Sequence, residues 1–66
     1  MNILDLKVGQ SIDWKFGIST RDVYRASEDK FEITDTSSGW YVALVSFETL
    51  EKLLKGELSL LDLDWV

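Results

Sequence analysis

The stretch from Trp40 to Gly56 constrains this chain most, because its hydrophobic period changes midway. Trp40-Tyr41-Val42-Ala43-Leu44-Val45-Ser46 is an apolar run rich in β-branched and aromatic residues, which suits a strand. From Phe47 the spacing turns helical. Phe47, Leu50, Leu53 and Leu54 fall on one face of a helix. Ser46 is placed to cap its first turn, since a serine hydroxyl accepts from a free amide there. Gly56 is placed to close it, because glycine takes the left-handed conformation that follows a helix. The continuous apolar character of the strand predicts a central position, or cover on both sides.

The segments before it read as a meander. Ile3, Leu4, Leu6 and Val8 form a short strand or an irregular segment packed on the core, ended by a turn at Gly9. Ile12, Trp14, Phe16 and Ile18 alternate with polar residues or glycine, so a strand with one wet face is predicted. Ser19-Thr20-Arg21-Asp22 reads as the turn after it. A second strand covers Val23 to Ser27, Glu28-Asp29-Lys30 makes a hairpin loop, and a third strand covers Phe31 to Asp35. Thr36-Ser37-Ser38-Gly39 is a turn cluster. After Gly56 two readings compete. Leu58, Leu60, Leu63 and Trp65 make a terminal strand, or Ser59 caps a short helical turn with Asp62 three residues on, the spacing of a capping box. The fold class predicted is α+β, one domain over residues 1–66, with a four-stranded antiparallel meander and one α-helix packed on a face. A small SH3-like barrel is the alternative.

The residue inventory narrows the function. With no cysteine there is no disulfide and no thiolate metal site. With no histidine, the commonest general base and metal ligand are missing. Serines and threonines without a base to activate them do not make a nucleophile, so no enzymatic activity is expected. Glu57, Asp62 and Asp64 cluster near the C-terminus, but no calcium-loop spacing accompanies them, and a solvated acidic edge is the expectation. No metal or cofactor is predicted. The N-terminal stretch has no basic region followed by an apolar one, and no run reaches the length of a membrane span, which predicts a cytoplasmic protein without membrane contact.

Charge carries the remaining information. The net charge is −5, and it is unevenly placed. Residues 1–30 hold five acids and five bases; residues 31–66 hold seven acids against Lys52 and Lys55. An acidic chain argues against direct nucleic-acid binding, which needs a positive surface to neutralise phosphates. Trp14 and Phe16, with Lys15, Arg21 and Arg25 near, have the residue types of a base-stacking platform, but acids balance those cations and core packing is the better reading. Carboxylates on a rigid face suit a basic protein partner instead, through electrostatic complementarity. Glu48 and Glu51 on the helix, and Asp62 and Asp64 after it, are the predicted acidic contacts. Tyr41 and Trp65 are the predicted apolar anchors, aromatics being enriched at interfaces.

In size and composition, though in no motif, the chain resembles the small acidic orphan proteins of phages and mobile elements. That resemblance implies an inhibitor that occludes a nucleic-acid-handling or defence enzyme of the host. The alternative expectation is a structural or accessory subunit acting through homodimerisation or an apolar interface, because a chain this short buries little surface alone. Ligand sequestration in a pocket between subunits ranks below both.

Overall fold

A computed structural model describes residues 2–37 and 39–66. Ser38 of the predicted Thr36–Gly39 turn lies outside them, as does Met1. Four strands, Ser11–Phe16 (β1), Ser19–Arg25 (β2), Lys30–Asp35 (β3) and Tyr41–Ser46 (β4), form an antiparallel sheet in chain order. The helix Phe47–Leu54 (α1) packs on one face of it, against β3 and β4. This is the α+β meander. The sheet is open, since β1 and β4 each have a single strand neighbour, and the barrel alternative is therefore not formed.

The strand-to-helix switch forms as its sequence requires. Ser46 Oγ accepts from the Thr49 N–H at 3.1 Å, and Gly56 follows the helix with φ 78°. Leu50 and Leu53 are buried, and Phe47 and Leu54 pack at the margin of the same cluster. Below them lie Val23, Phe31, Ile33, Ala43 and Val45, the helix-facing residues of β2, β3 and β4. The N-terminal segment joins this core as a 3-10 turn, Ile3–Asp5, capped by the Asn2 side chain, rather than as a strand. Ile3 and Leu6 are buried there.

Two predictions are corrected. The first hairpin turns at Gly17-Ile18, so Ser19 to Asp22 lie inside β2. Gly17 has φ 68° and no other residue type has a positive φ among the described residues, which is the pattern of a two-residue II′ turn. Ile18 continues the alternation of β1 in sequence but stands 99% exposed at the turn. The second correction concerns β4, which is an edge strand and not a central one. Its apolar run has a different cause. Ala43 and Val45 fill the core, whereas Leu44 points to the open face and is 61% exposed.

Hydrogen-bond parity defines both edges. On β4, Val42 exchanges both backbone bonds with Val66, at 3.1 and 3.0 Å, so its N–H and C=O face away from β3. Residue 44 shares that direction, because bonding alternates along a strand. On β2, the Arg25 N–H donates to Gln10 C=O and the Gly9 N–H donates to Arg25 C=O, so Arg25, Val23 and Arg21 bond toward β1. Their partners Ile12 and Trp14 therefore bond inward. Ser11, Asp13 and Lys15 direct their backbone groups off the sheet.

Candidate protein-interaction surface

The residues after α1 build an apolar groove on the surface. The Glu57 N–H donates to Lys52 C=O at 2.9 Å, which turns the chain back from the helix. Ser59 and Asp62 then cap a second 3-10 turn, Leu60–Asp62. Ser59 Oγ accepts from the Leu61 N–H at 3.2 Å, and Asp62 Oδ2 accepts from the Ser59 N–H at 2.9 Å. The capped turn is thus formed and the terminal strand of Leu58, Leu60, Leu63 and Trp65 is not; Val66, after them, pairs with Val42. Trp65 Nε1 donates to Leu60 C=O at 2.7 Å, which fixes the indole against the turn.

These contacts bring Trp65 to Tyr41, the other predicted anchor. The two line a groove of about 260 Å³ with Leu60, Leu61, Arg21 and Asp35. Tyr41 is 44% exposed. Its approach depends on Gly39, where a Cβ atom would lie 3.0 Å from the tyrosine ring at a φ of 140°. Arg21 and Asp35 hold the sheet side of the groove. Arg21 Nη2 lies 3.5 Å from Asp35 Oδ2, and Nη1 donates to Thr20 C=O at 2.8 Å. Arg21 Nε is buried with no acceptor. Asp35 accepts from the Ser37 hydroxyl at 2.7 Å and the Ser37 N–H at 2.9 Å. Those two bonds, with Arg21 beside them, hold its carboxyl below the usual carboxylate range despite its partial desolvation.

The four predicted carboxylates are not equivalent. Glu48, in the first turn of α1, lies 3.7 Å from Lys52. Glu51 is half-buried on the same helix. Asp62 is committed to the cap of its own turn. Asp64 is exposed next to Trp65, with no ion pair among the described residues. Sequence position puts Asp62 and Asp64 beside the Tyr41–Trp65 groove, while Glu48 and Glu51 stand on α1.

Four of the seven basic side chains, by contrast, have a partner within the chain. The Arg25 guanidinium donates to the carbonyls of Leu6, Ser27 and Glu28 and lies over the Phe31 and Phe47 rings. Arg21 and Lys30 pair with Asp35 and Asp29. Among the described residues no group of three or more acids is placed to hold a metal ion, and Glu57, Asp62 and Asp64 do not converge. No helix among them is long and apolar enough to cross a membrane.

Sequence reasoning missed Leu61, which is 91% exposed at the groove, and the Arg21–Asp35 pair on its sheet side. The signal for the pair was the alternation of β2. Reading Ser19 to Asp22 as a turn removed Arg21 from the helix-facing row shared with Val23. Comparison of the chain with protein-family models, with curated proteins and with solved structures returned no match.

Proposed function

We propose that the protein is a non-enzymatic binding module that docks on a basic surface of another protein and acts by occluding it. The observation that carries this reading is the meeting of Tyr41 and Trp65 in one groove beside the acidic tail. They are separated by most of β4, the whole of α1 and the capped turn. The occupant this groove fits is an apolar side chain of the partner flanked by lysine or arginine. The ring walls bury the apolar group, and Asp64 meets the neighbouring cation. Desolvated aromatic anchors supply most of the affinity of such contacts, and rim charges supply on-rate and salt dependence.

The commitment of the cations supports the same reading. Arg21, Arg25, Lys30 and Lys52 are engaged within the fold, so the side chains left to meet a partner are mainly carboxylates. A basic surface of this kind belongs to nucleic-acid-handling enzymes, host defence enzymes among them, and an inhibitor of such an enzyme is the specific form proposed.

The test is capture from a bacterial lysate with the tagged protein, washed at low and at high salt, beside a Trp65→Ala variant and an Asp64→Asn/Glu48→Gln/Glu51→Gln variant. The expected result is a nucleic-acid-binding protein retained by the wild type at low salt, released at high salt and lost by both variants. A bound set identical for wild type and variants, or indifferent to salt, overturns the reading.

A further inference from the structure

The outer edge of β1 carries a self-complementary pattern, and from it we infer that two copies of this chain pair through that edge to make one continuous eight-stranded sheet. Ser11, Asp13 and Lys15 point their backbone N–H and C=O groups off the sheet, and among the described residues no backbone bond satisfies them. The opposite edge is partly occupied, because Val66 pairs with Val42. An unpaired edge is a template for another strand, and a two-fold axis requires the same residues on both sides.

The side chains select one register. Antiparallel pairing with Trp14 opposite Trp14 of the second copy sets Asp13 against Lys15 of the second copy, and Lys15 against its Asp13. Both are outward-bonding positions, so each makes a narrow pair that exchanges both backbone bonds. The unlike charges are exposed on the open face and lie directly across from each other. A slip of two residues one way opposes Asp13 to Asp13; the other way, it opposes Lys15 to Lys15. Only the central register pairs opposite charges twice.

The helix side of the edge fits the same arrangement. Trp14 sits at the axis in a non-bonded pair, where side chains approach most closely. A hollow of about 400 Å³ lies beside Trp14 and Phe16, with Leu53 and Leu54 as its other apolar walls, and it takes the second copy's indole. Ile12 faces the second copy's Phe16. All three apolar residues of β1 are half-buried in one copy and gain cover in two.

Charge distribution favours this edge over any other. β1 and β2 lie within residues 1–30, whose charges cancel, whereas the excess of five negative charges belongs to residues 31–66. Because the strands run in chain order, β1 is the edge farthest from β4. Joining copies there brings together two strands whose own charges, Asp13 and Lys15, cancel.

Sedimentation equilibrium of the pure protein over a concentration series tests this without any outside partner, so its failure is separate from that of the basic-partner reading. The wild type is expected to dimerise. Asp13→Lys alone and Lys15→Asp alone each turn two attractive pairs into repulsive ones, which raises the dimer dissociation constant roughly thirtyfold. An equimolar mixture of the two single variants recovers association as a heterodimer, and the double swap D13K/K15D recovers the homodimer. Both side chains are solvent-exposed, so circular dichroism is expected to show the same fold throughout. A wild type that stays monomeric, single variants that associate as the wild type does, or a mixture that does not associate overturns the inference.

Discussion

Arg25 is the side chain whose replacement best tests how the fold is held, because its guanidinium joins three segments distant in sequence. It donates to Leu6 C=O at 2.6 Å, to Glu28 C=O at 2.7 Å and to Ser27 C=O at 3.3 Å. Its carbon lies 5.1 Å from the Phe31 ring centre and 6.0 Å from that of Phe47. The N-terminal segment, the β2–β3 hairpin and the start of α1 therefore meet on one planar group. Hydrogen bonds to a charged donor contribute about 1.5–3 kcal/mol, and the Leu6 bond, which is part-buried, is the one of the three sheltered from water. The other two are exposed and contribute less. Lying over the two rings adds about 0.5–1 kcal/mol. Arg25→Met, which keeps the aliphatic stem and loses every donor, is expected to cost about 3 kcal/mol. That is a large part of the roughly 3–10 kcal/mol available to a domain of this length. Arg25→Lys keeps the charge but presents a compact ammonium in place of a planar fork, and about 1–2 kcal/mol is expected to be lost. Urea unfolding followed by tryptophan fluorescence reads both, with an unchanged m-value showing that the native and unfolded states keep their extents. If Arg25→Lys unfolds at the wild-type urea concentration, positive charge alone suffices and the three-carbonyl argument is wrong. If Arg25→Met does so as well, the guanidinium does not tie the segments together at all.

Three other outcomes follow from the same contacts. Leu50→Ala empties a fully buried position between α1 and the sheet and is expected to cost about 3 kcal/mol, whereas Leu61→Ala at the exposed groove leaves the urea midpoint within about 0.5 kcal/mol of wild type. Ser46→Ala removes the acceptor of the Thr49 amide and is expected to cost about 1 kcal/mol in the same assay, with a partial loss of helical ellipticity. Asp35 has a folded-state pKa below its unfolded one, so its contribution is complete above the unfolded value and is lost as pH falls through the folded value. Asp35→Asn should therefore lower stability at neutral pH and make the acid limb of a stability–pH curve shallower; an unchanged acid limb would show that Asp35 is not held below the usual range.

The elements whose chemistry is local were legible in the sequence. Ser46, the Phe47–Leu54 spacing and Gly56 define α1 without help from the rest of the chain. Ser59 and Asp62 define the second 3-10 turn in the same way. The turn at Gly17-Ile18 was misplaced because Ile18 keeps the parity of Ile12, Trp14 and Phe16, and because Ser19 and Asp22 are turn formers elsewhere. What decided the matter was the positive φ that Gly17 alone can supply cheaply. The edge position of β4 was illegible for another reason. Apolar content reports burial, but strand order is set by which pairings close, and a run such as Val42 to Val45 is compatible with either place. The groove lay between these cases. Tyr41 and Trp65 were identified separately as anchors, but their meeting depends on the Val66–Val42 pairing, which no local pattern announces.

That pairing also explains why the two sheet edges differ in what they offer. At β4 the chain satisfies its own edge with Val66, and continuing that antiparallel register places Asp64 beside Leu44, where no backbone bond is made. A charged residue at such a place discourages further strands, one of the ordinary protections of an exposed edge. At β1 the charges are Asp13 and Lys15, of opposite sign and two residues apart. Against an arbitrary strand they are equally discouraging, because one of the two meets a like or an apolar neighbour in most registers. Against an antiparallel copy of itself the same pair becomes attractive. The edge thus excludes most strands and admits its own, and the Tyr41–Trp65 groove, which has no β1 residue in its lining, is left free to meet a partner.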